Sequence, residues 1–479
     1  MTDIGRELRV IEVLQKAKHA AGIYSQLSQE ETDKIVHAVY KAALNNRVKL
    51  AKSAVKETGY GNCKDKVIKN VIASQYVYED IKLKKTVGII EEDNDKGILK
   101  MAHPRGPILG IVSRYSPTSD AIFKILISLK TRNPIILIPD REAEESLKEV
   151  VKICYEAALK ADAPDNCIQS FYNTSSDEFD SLVTKSELSL IIGAGEANTK
   201  NRSNIVAPVI GDGTSNVPCY IADTADISFT VKEIIYSKTF DNGVMQQSEQ
   251  AVIINTQIKD KVLKEFKHNK TYFLDDKERT IFEELLLSNK KVGKYENITG
   301  KTPYEIGKLA GINVPKDTRL IMVELDGISK DHPLSSKILA PVLSFCFADD
   351  FYEALNYCMD INFLGNIGNT VSLFTNNNEN VLKFASIIHA GRILINTPAS
   401  VGAIGGWYNH LHPSFSYACG SSADGNTLSM DNVSIDHLLH IQTISRRRPN
   451  NRIMNFDFNI YNNESYDSDY IEKLFNLNY

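Results

Sequence analysis

From Pro107 onward, short β-branched apolar runs alternate with amphipathic helical segments: PILGIV, TSDAIFKILISLKTR, PIILIP, EAEESLKEVVKICYEAALKA and LSLIIGAG. A strand that reads as a continuous apolar run has to be covered on both faces, and helices between successive strands supply that cover. The pattern predicts a doubly wound α/β domain. Ligands of such sheets bind beyond the carboxyl ends of the strands, here near residues 113–119, 193–198 and 211–216. A second α/β segment begins near Phe240. It has strands QAVIIN and RLIMVEL, helices at DKVLKEF, PYEIGKLAG and DDFYEALNYCMD, and a closing RILINTP followed by the glycine-rich GAIGGWYN.

Before this alternation lie about eighty residues of helical periodicity without a strand, including one long segment from Gln29 that carries Glu30 and Glu31 at its start and Gly59 after its end. Two strand-like runs then flank Asp93-Asn94-Asp95-Lys96-Gly97, a hairpin signal. The tail FDFNIYNNESYDSDYIEKLF is too apolar for plain disorder and too short to fold alone, so it is expected to pack on the body or on a neighbouring subunit. Lys plus Arg total 55 against 60 Asp plus Glu, so no global charge points to nucleic acid or an anionic membrane. The local basic run Arg446, Arg447, Arg448 and Arg452 reads as a solvated or subunit-facing segment. No stretch approaches the roughly 18 apolar residues of a membrane span, and the N-terminus lacks the apolar core of a signal peptide. The odd set of seven cysteines has no C-x-x-C spacing, which argues for a reducing cytoplasm and against disulfides or structural zinc. Cys219 and Cys419 read as packed thiols. His410 and His412 in NHLHP lack a third ligand and read as surface histidines rather than a metal pair.

Residues 239–254, TFDNGVMQQSEQAVII, have the composition of an active-site loop, yet place two carboxamides at its centre. This stretch, together with PTSDAIFKILISLKTRNPIIL, YEIGKLAGINVPKDT, LAPVLSF and CGSSADGNTLSMDNVSIDHLLHIQTIS, resembles the CoA-acylating aldehyde dehydrogenases, in particular the aldehyde half of the bifunctional aldehyde–alcohol dehydrogenases. The resemblance runs over nearly the whole chain in family order. It implies the α/β aldehyde dehydrogenase fold: an NAD-binding-type doubly wound domain over residues 1–237, a catalytic-type α/β domain over 238–410, a return to the first domain over 411–440, and a small β oligomerisation element made of the hairpin 86–103 and the tail 441–479. NAD and CoA are the implied cofactors, without a metal, and a homo-oligomer or an assembly with a related active subunit is the implied state.

Family chemistry needs a thiolate that attacks the aldehyde and leaves an acyl thioester for CoA to take. With TFDNGV and SEQ aligned on either side, the family cysteine falls on Gln246. A carboxamide cannot become that nucleophile, and losing a nucleophile costs on the order of 10⁶ in rate. Four further positions depart. The family's oxyanion-stabilising Asn falls on Ser116, which with Pro117 also reads as a helix N-cap. The glycine-rich turn keeps Gly193 and Gly195 but places Glu196 where cofactor phosphates are expected, so like charge opposes binding. The Glu that holds the nicotinamide ribose falls on Lys337, and the His of the CoA half-reaction on Asn369. The Trp of the CGSW segment is replaced by Ser422, beside an apparent one-residue insertion. The expectation is a member of the family that has lost its chemistry and acts as a structural or regulatory subunit. Two alternatives remain open: an active NAD- and CoA-dependent enzyme with an unorthodox site, for which Ser248 and Glu249 lie nearby, and a nucleotide or CoA sensor. Gln246 and Gln247 are read as structural, their amides able to satisfy each other and nearby backbone groups in a buried polar pocket.

Overall fold

A computed structural model describes residues 3–193, 205–210, 215–288, 295–365, 368–416, 431–447 and 458–478. Two compact units emerge, one of residues 1–86 with 104–440, the other of 87–103 with 441–479. In the second unit β1 (Gly88–Asp93) and β2 (Ile98–Pro104) form the expected antiparallel hairpin, Gly88 opposite Ala102 and Asp93 opposite Ile98.

The first unit carries two parallel sheets. The first sheet comprises β3 (Ile108–Val112), β4 (Ile135–Pro139), β5 (Ile168–Ser170), β6 (Leu190–Ile192) and β7 (Val209–Ile210), in the order β5-β4-β3-β6-β7. Both of its faces are buried, as the unbroken apolar runs require. Ile108, Ile135 and Leu137 pack with the helices Gln29–Asn45, Pro117–Lys130 and Glu144–Lys160, while Leu109, Ile136 and Ile138 meet Val10, Val13 and Leu14 of the helix Asp3–Tyr24. The long helical segment read from Gln29 to Gly59 is two helices. Asn46 leaves helical geometry at φ −94°, ψ 5°, and its side-chain amide donates to the Ala42 carbonyl, so the amide competes with the ladder and breaks it. The start and stop are as the residues indicate: Ser28 and Glu31 form a capping box, and Gly59 ends the second helix at φ 69°.

The second sheet has seven strands: β8 (Val217–Ile221), β9 (Glu249–Asn255), β10 (Thr271–Phe273), β11 (Leu320–Glu324), β12 (Val342–Ala348), β13 (Gly368–Phe374) and β14 (Ala390–Ile395), in the order β10-β11-β12-β9-β8-β13-β14. β8 lies ahead of residue 237, the boundary expected from sequence, and the helix Ile227–Thr239 runs across it, yet β8 pairs with β9 and β13 of this sheet. The reason is burial: VPCYI is apolar along its length, and all five residues are covered. By sheet membership the division therefore falls between Ile210 and Val217. Ala251, Ile253, Ile321 and Val371 fill the core on one face, and Val252, Ile254, Met322 and Leu343 on the other. Finally β15 (Leu439–Ser445) joins β2 in the three-stranded sheet β1-β2-β15, where the Arg446 N–H donates to the Gly97 carbonyl at 2.8 Å.

β9 is the middle strand of the seven, and Ile253 on it is fully buried, opposite Tyr220 and Cys346. Ile253→Ala is expected to cost about 2–5 kcal/mol, measured as a lowered urea midpoint with an unchanged m-value.

Candidate functional site

The register of the second sheet gathers the residues singled out above. Val217 stands opposite Glu249, Ser344 opposite Ala251, and Ser372 opposite Cys219, all in parallel pairs. The segments Ser215-Asn216, Gln246–Glu249, Lys337–Pro341 and Asn369 therefore all open strands or lead into them at the amino edge of one sheet. Ser116 comes from the other side, four residues beyond the carboxyl end of β3. The two sides meet where Tyr115 packs with Val244 and Leu339.

What holds this meeting in place is a buried ionic cluster. Asp241, Asn242 and Gly243 have φ values of 51°, 52° and 75°, three successive left-handed residues. Such a run is costly unless its surroundings over-determine it. Here they do. The Asp241 carboxylate accepts from Lys66 at 2.9 Å, from Lys69 at 2.5 Å and from the Asn62 N–H at 2.8 Å, and the Asp241 N–H donates to Asp65 at 2.7 Å. Lys66 and Lys69 lie one turn apart on the helix Cys63–Val71, so both ammonium groups reach one carboxylate. They also donate to the Tyr115 carbonyl, at 2.9 and 3.4 Å, which fastens the Ser116 turn to the same point. Burial alone would raise the Asp241 carboxyl, but the two lysines outweigh it and hold it below its ordinary range, while burial brings Lys69 down to about 8. At Gly243 an added Cβ would lie 2.4 Å from the Ala340 backbone, so the loop and the approach to β12 are in direct contact.

On this support sits the 246 loop. Gln246 is half-buried and its carbonyl accepts from Ser215 Oγ at 2.7 Å. Gln247 is buried, and among the described residues no hydrogen bond joins the two carboxamides. The expected mutual satisfaction is not found: successive residues entering a strand project in different directions. Ser248 Oγ is turned back onto the Met245 carbonyl at 2.9 Å, and among the described residues no imidazole bonds to it. Gln250 Oε1 accepts from Lys238 Nζ at 3.0 Å and from the Ile338 N–H at 2.8 Å, tying β9 to the segment that carries Lys337. Glu249, fully buried, accepts the Ala399 N–H at 2.8 Å. Asn369, also fully buried, accepts from Arg392 Nη2 at 3.1 Å and Thr370 Oγ1 at 2.9 Å. Ser116 precedes Pro117 as expected, but its side chain makes no cap hydrogen bond; at φ −143°, ψ 46° only its carbonyl serves, accepting from the Asp120 N–H at 2.9 Å.

Gly193 closes the end of β6, its N–H donating to the Ile210 carbonyl at 2.7 Å. Gly195, Glu196, Cys419, Ser422, Arg448 and Arg452 lie outside the described residues. His412 faces Asp80, with Nδ1 3.0 Å from Oδ1, rather than His410. Burial pushes the thiols of Cys154, Cys167 and Cys346 up to about 12 and Cys219 well above its ordinary value, so none of these has thiolate character. The loop thus offers amides, hydroxyls and a buried Lys238–Glu249 couple, and no activated nucleophile among these groups. The lysine cluster was missed by sequence reasoning. Its buried face, Lys66, Lys69 and Asn70, is polar, so the pattern of apolar residues in KDKVIKN does not reveal it.

Two parallel sheets whose loops meet at Tyr115, Val244 and Leu339 define a two-sheet α/β architecture. The chain belongs to the aldehyde dehydrogenase family, whose model matches residues 3–409. It is 38% identical over 443 residues to the bifunctional aldehyde-alcohol dehydrogenase of Escherichia coli, covering 91% of this chain and 49% of that one. To the aldehyde-alcohol dehydrogenase of Clostridium acetobutylicum it is 37% identical over 452 residues, covering 94% and 51%. It thus spans about half the length of these relatives. The crystal structure of an acetylating aldehyde dehydrogenase from Geobacillus thermoglucosidasius superposes with a TM-score of 0.88 at 34% identity, covering 94% of this chain and 99% of that one. The homologues are acylating aldehyde dehydrogenases, and the fold is theirs.

Asp241→Asn leaves two buried ammonium groups without their counter-charge, and a loss of about 3–5 kcal/mol is expected, read from the denaturant midpoint at pH 7. A second expectation concerns pH. Burial raises Glu249 from 4.5 to about 7, so the folded state holds a proton that the unfolded state has lost, and stability falls as pH rises from 4.5 to 7. Burial lowers Lys238 from 10.5 to about 7, so the unfolded state holds the extra proton and stability rises again above 7. Unfolding midpoints from pH 5 to 9 should pass through a minimum near neutrality, and the Lys238→Met, Glu249→Gln double variant should flatten it.

Proposed function

We propose that this chain is an acylating-type aldehyde dehydrogenase that has lost its acyl-transfer chemistry and serves as a structural or regulatory subunit, self-assembled or joined to a related active chain. The observation that carries the reading is Gln246. It stands at the position that the family resemblance gives to the nucleophile, at the centre of a loop whose supports are otherwise intact. A carboxamide has no ionisation that would make it an attacking anion, so the covalent step is absent rather than slowed. Ser116, Lys337 and Asn369 support the same reading. A hydroxyl lacks the reach of the amide it replaces, an ammonium group cannot accept the ribose hydroxyls that a carboxylate would, and an amide cannot take a proton at neutral pH.

The division into an NAD-binding-type part, a catalytic-type part and an oligomerisation element of residues 86–103 and 441–479 belongs to the same proposal, as does a cytoplasmic location. Among the described residues no helix is long and apolar enough to cross a membrane.

The test is purified protein with a panel of aldehydes, NAD or NADP, and CoA. NADH formation at the level of the blank is expected, and Gln246→Cys alone should leave it there because four other positions, Ser116, Glu196, Lys337 and Asn369, still differ. Acylating activity restored by that single change would overturn the reading, as would a covalent acyl adduct found on the unaltered chain by mass spectrometry. Turnover that survives Gln246→Ala and disappears with Ser248→Ala would assign the chemistry to the serine.

A further inference from the structure

Trp407 is the only tryptophan of the chain, and with Tyr408 and Leu411 it stands exposed on the loop that follows the helix Ala399–Ile404. The loop is held in shape. Asn409 Nδ2 donates to the Gly402 carbonyl at 2.8 Å, Asn409 Oδ1 accepts from the Leu411 N–H at 3.1 Å, and a Cβ added at Gly405 would lie 2.6 Å from the Leu411 carbonyl oxygen. The Trp407 and Tyr408 rings meet edge to face with centroids 5.0 Å apart, and Tyr408 stacks at 6.3 Å and 29° on Tyr236 of the helix Ile227–Thr239. Glu233 lies one turn before Tyr236 on that helix. Among the described residues its Oε2, shut away from water, has no hydrogen-bond partner. Burial raises the Glu233 carboxyl, and no cation offsets it. Tyr408 is raised by burial and then by the Glu233 charge, and Tyr236 by burial, by Tyr408, by Asp65 and by Glu233, so both phenols lie within electrostatic reach of this carboxylate.

These groups favour one kind of charge. A carboxylate and the electron-rich faces of aromatic rings both attract a cation, and a shielded carboxylate oxygen without a partner is left at a cost that a cation would relieve. We propose that Glu233, Tyr236, Trp407 and Tyr408 form a binding site for a methylated ammonium ion, its charge against the carboxylate and its methyl groups on the rings. A hard cation such as magnesium or calcium takes about six oxygen ligands, and this corner supplies one carboxylate. A quaternary ammonium accepts aromatic faces in place of oxygens, and rings already fixed against one another need little ordering to receive it. The site uses none of Ser116, Gln246, Lys337 and Asn369, so turnover of an aldehyde would remove the non-catalytic reading and leave this one standing.

Trp407 fluorescence reads the site directly, since no other tryptophan contributes. Titrating the full chain with tetramethylammonium chloride should give a saturable change in the millimolar range or below, with a matching heat in calorimetry. Sodium chloride at equal ionic strength and uncharged tert-butanol should give neither. Glu233→Gln, which keeps the shape of a half-buried residue, should weaken binding by about tenfold, as should Tyr408→Leu, while Tyr408→Phe keeps the ring and should bind as the unaltered chain does. Absence of saturation in both measurements, an equal response to sodium chloride or tert-butanol, or affinity unchanged in both Glu233→Gln and Tyr408→Leu would overturn the proposal. So would a Trp407 signal that follows protein concentration and ignores the salt, which would give the corner to a side chain of a second copy.

Discussion

One buried carboxylate, Asp241, carries the arrangement of the site. Two ammonium groups and a backbone N–H converge on it, and all three side chains are at most 3% exposed. The cluster holds excess positive charge inside the protein, which burial opposes strongly. It persists because each member has several partners, the Tyr115 carbonyl among them. Through these bonds the helix Cys63–Val71 sets the position of two loops from different sheets, one ending in Ser116 and the other leading to Gln246. The left-handed run at Asp241-Asn242-Gly243 is the cost of turning the second loop so sharply, and the ion pairs offset it.

That dependence separates the groups that hold the site from those that line it. The positions singled out by the family resemblance, Ser116, Gln246, Lys337 and Asn369, are not among the groups that hold it. The groups that shape the cleft are structural in a stricter sense, because removing one would leave a buried charge or a strained backbone unpaid. Lys238 and Gln250 do for β9 and the Lys337 segment what Lys66 and Lys69 do for the two loops. A carboxamide at 246 disturbs none of these bonds, since the loop is held there through the Gln246 carbonyl, which any residue supplies.

Much of this was legible in the residues. Apolar runs such as PIILIP and QAVIIN became β4 and β9, because continuous β-branched residues have few other places to go in a protein of this length. The hairpin at residues 88–104 followed from its turn residues. Other features needed the third dimension. The membership of β8 in the second sheet was hidden because a short apolar strand carries no mark of which sheet it joins. The break at Asn46 lay in a side chain that can bond its own helix or a neighbour. The lysine cluster was hidden for a different reason: a charged residue on a helix is usually solvated, and only the distant Asp241 makes burial of Lys66 and Lys69 possible.

Electrostatics then ties the cleft together. At the amino edge of the second sheet, Lys337 places a cation near Lys238, whose ammonium it destabilises. At the carboxyl end of the first sheet, Asp140, Glu142 and Glu296 collect around Arg114. Here the Arg114 guanidinium is met by carboxylates from loops of both sheets, which offset the cost of burying it.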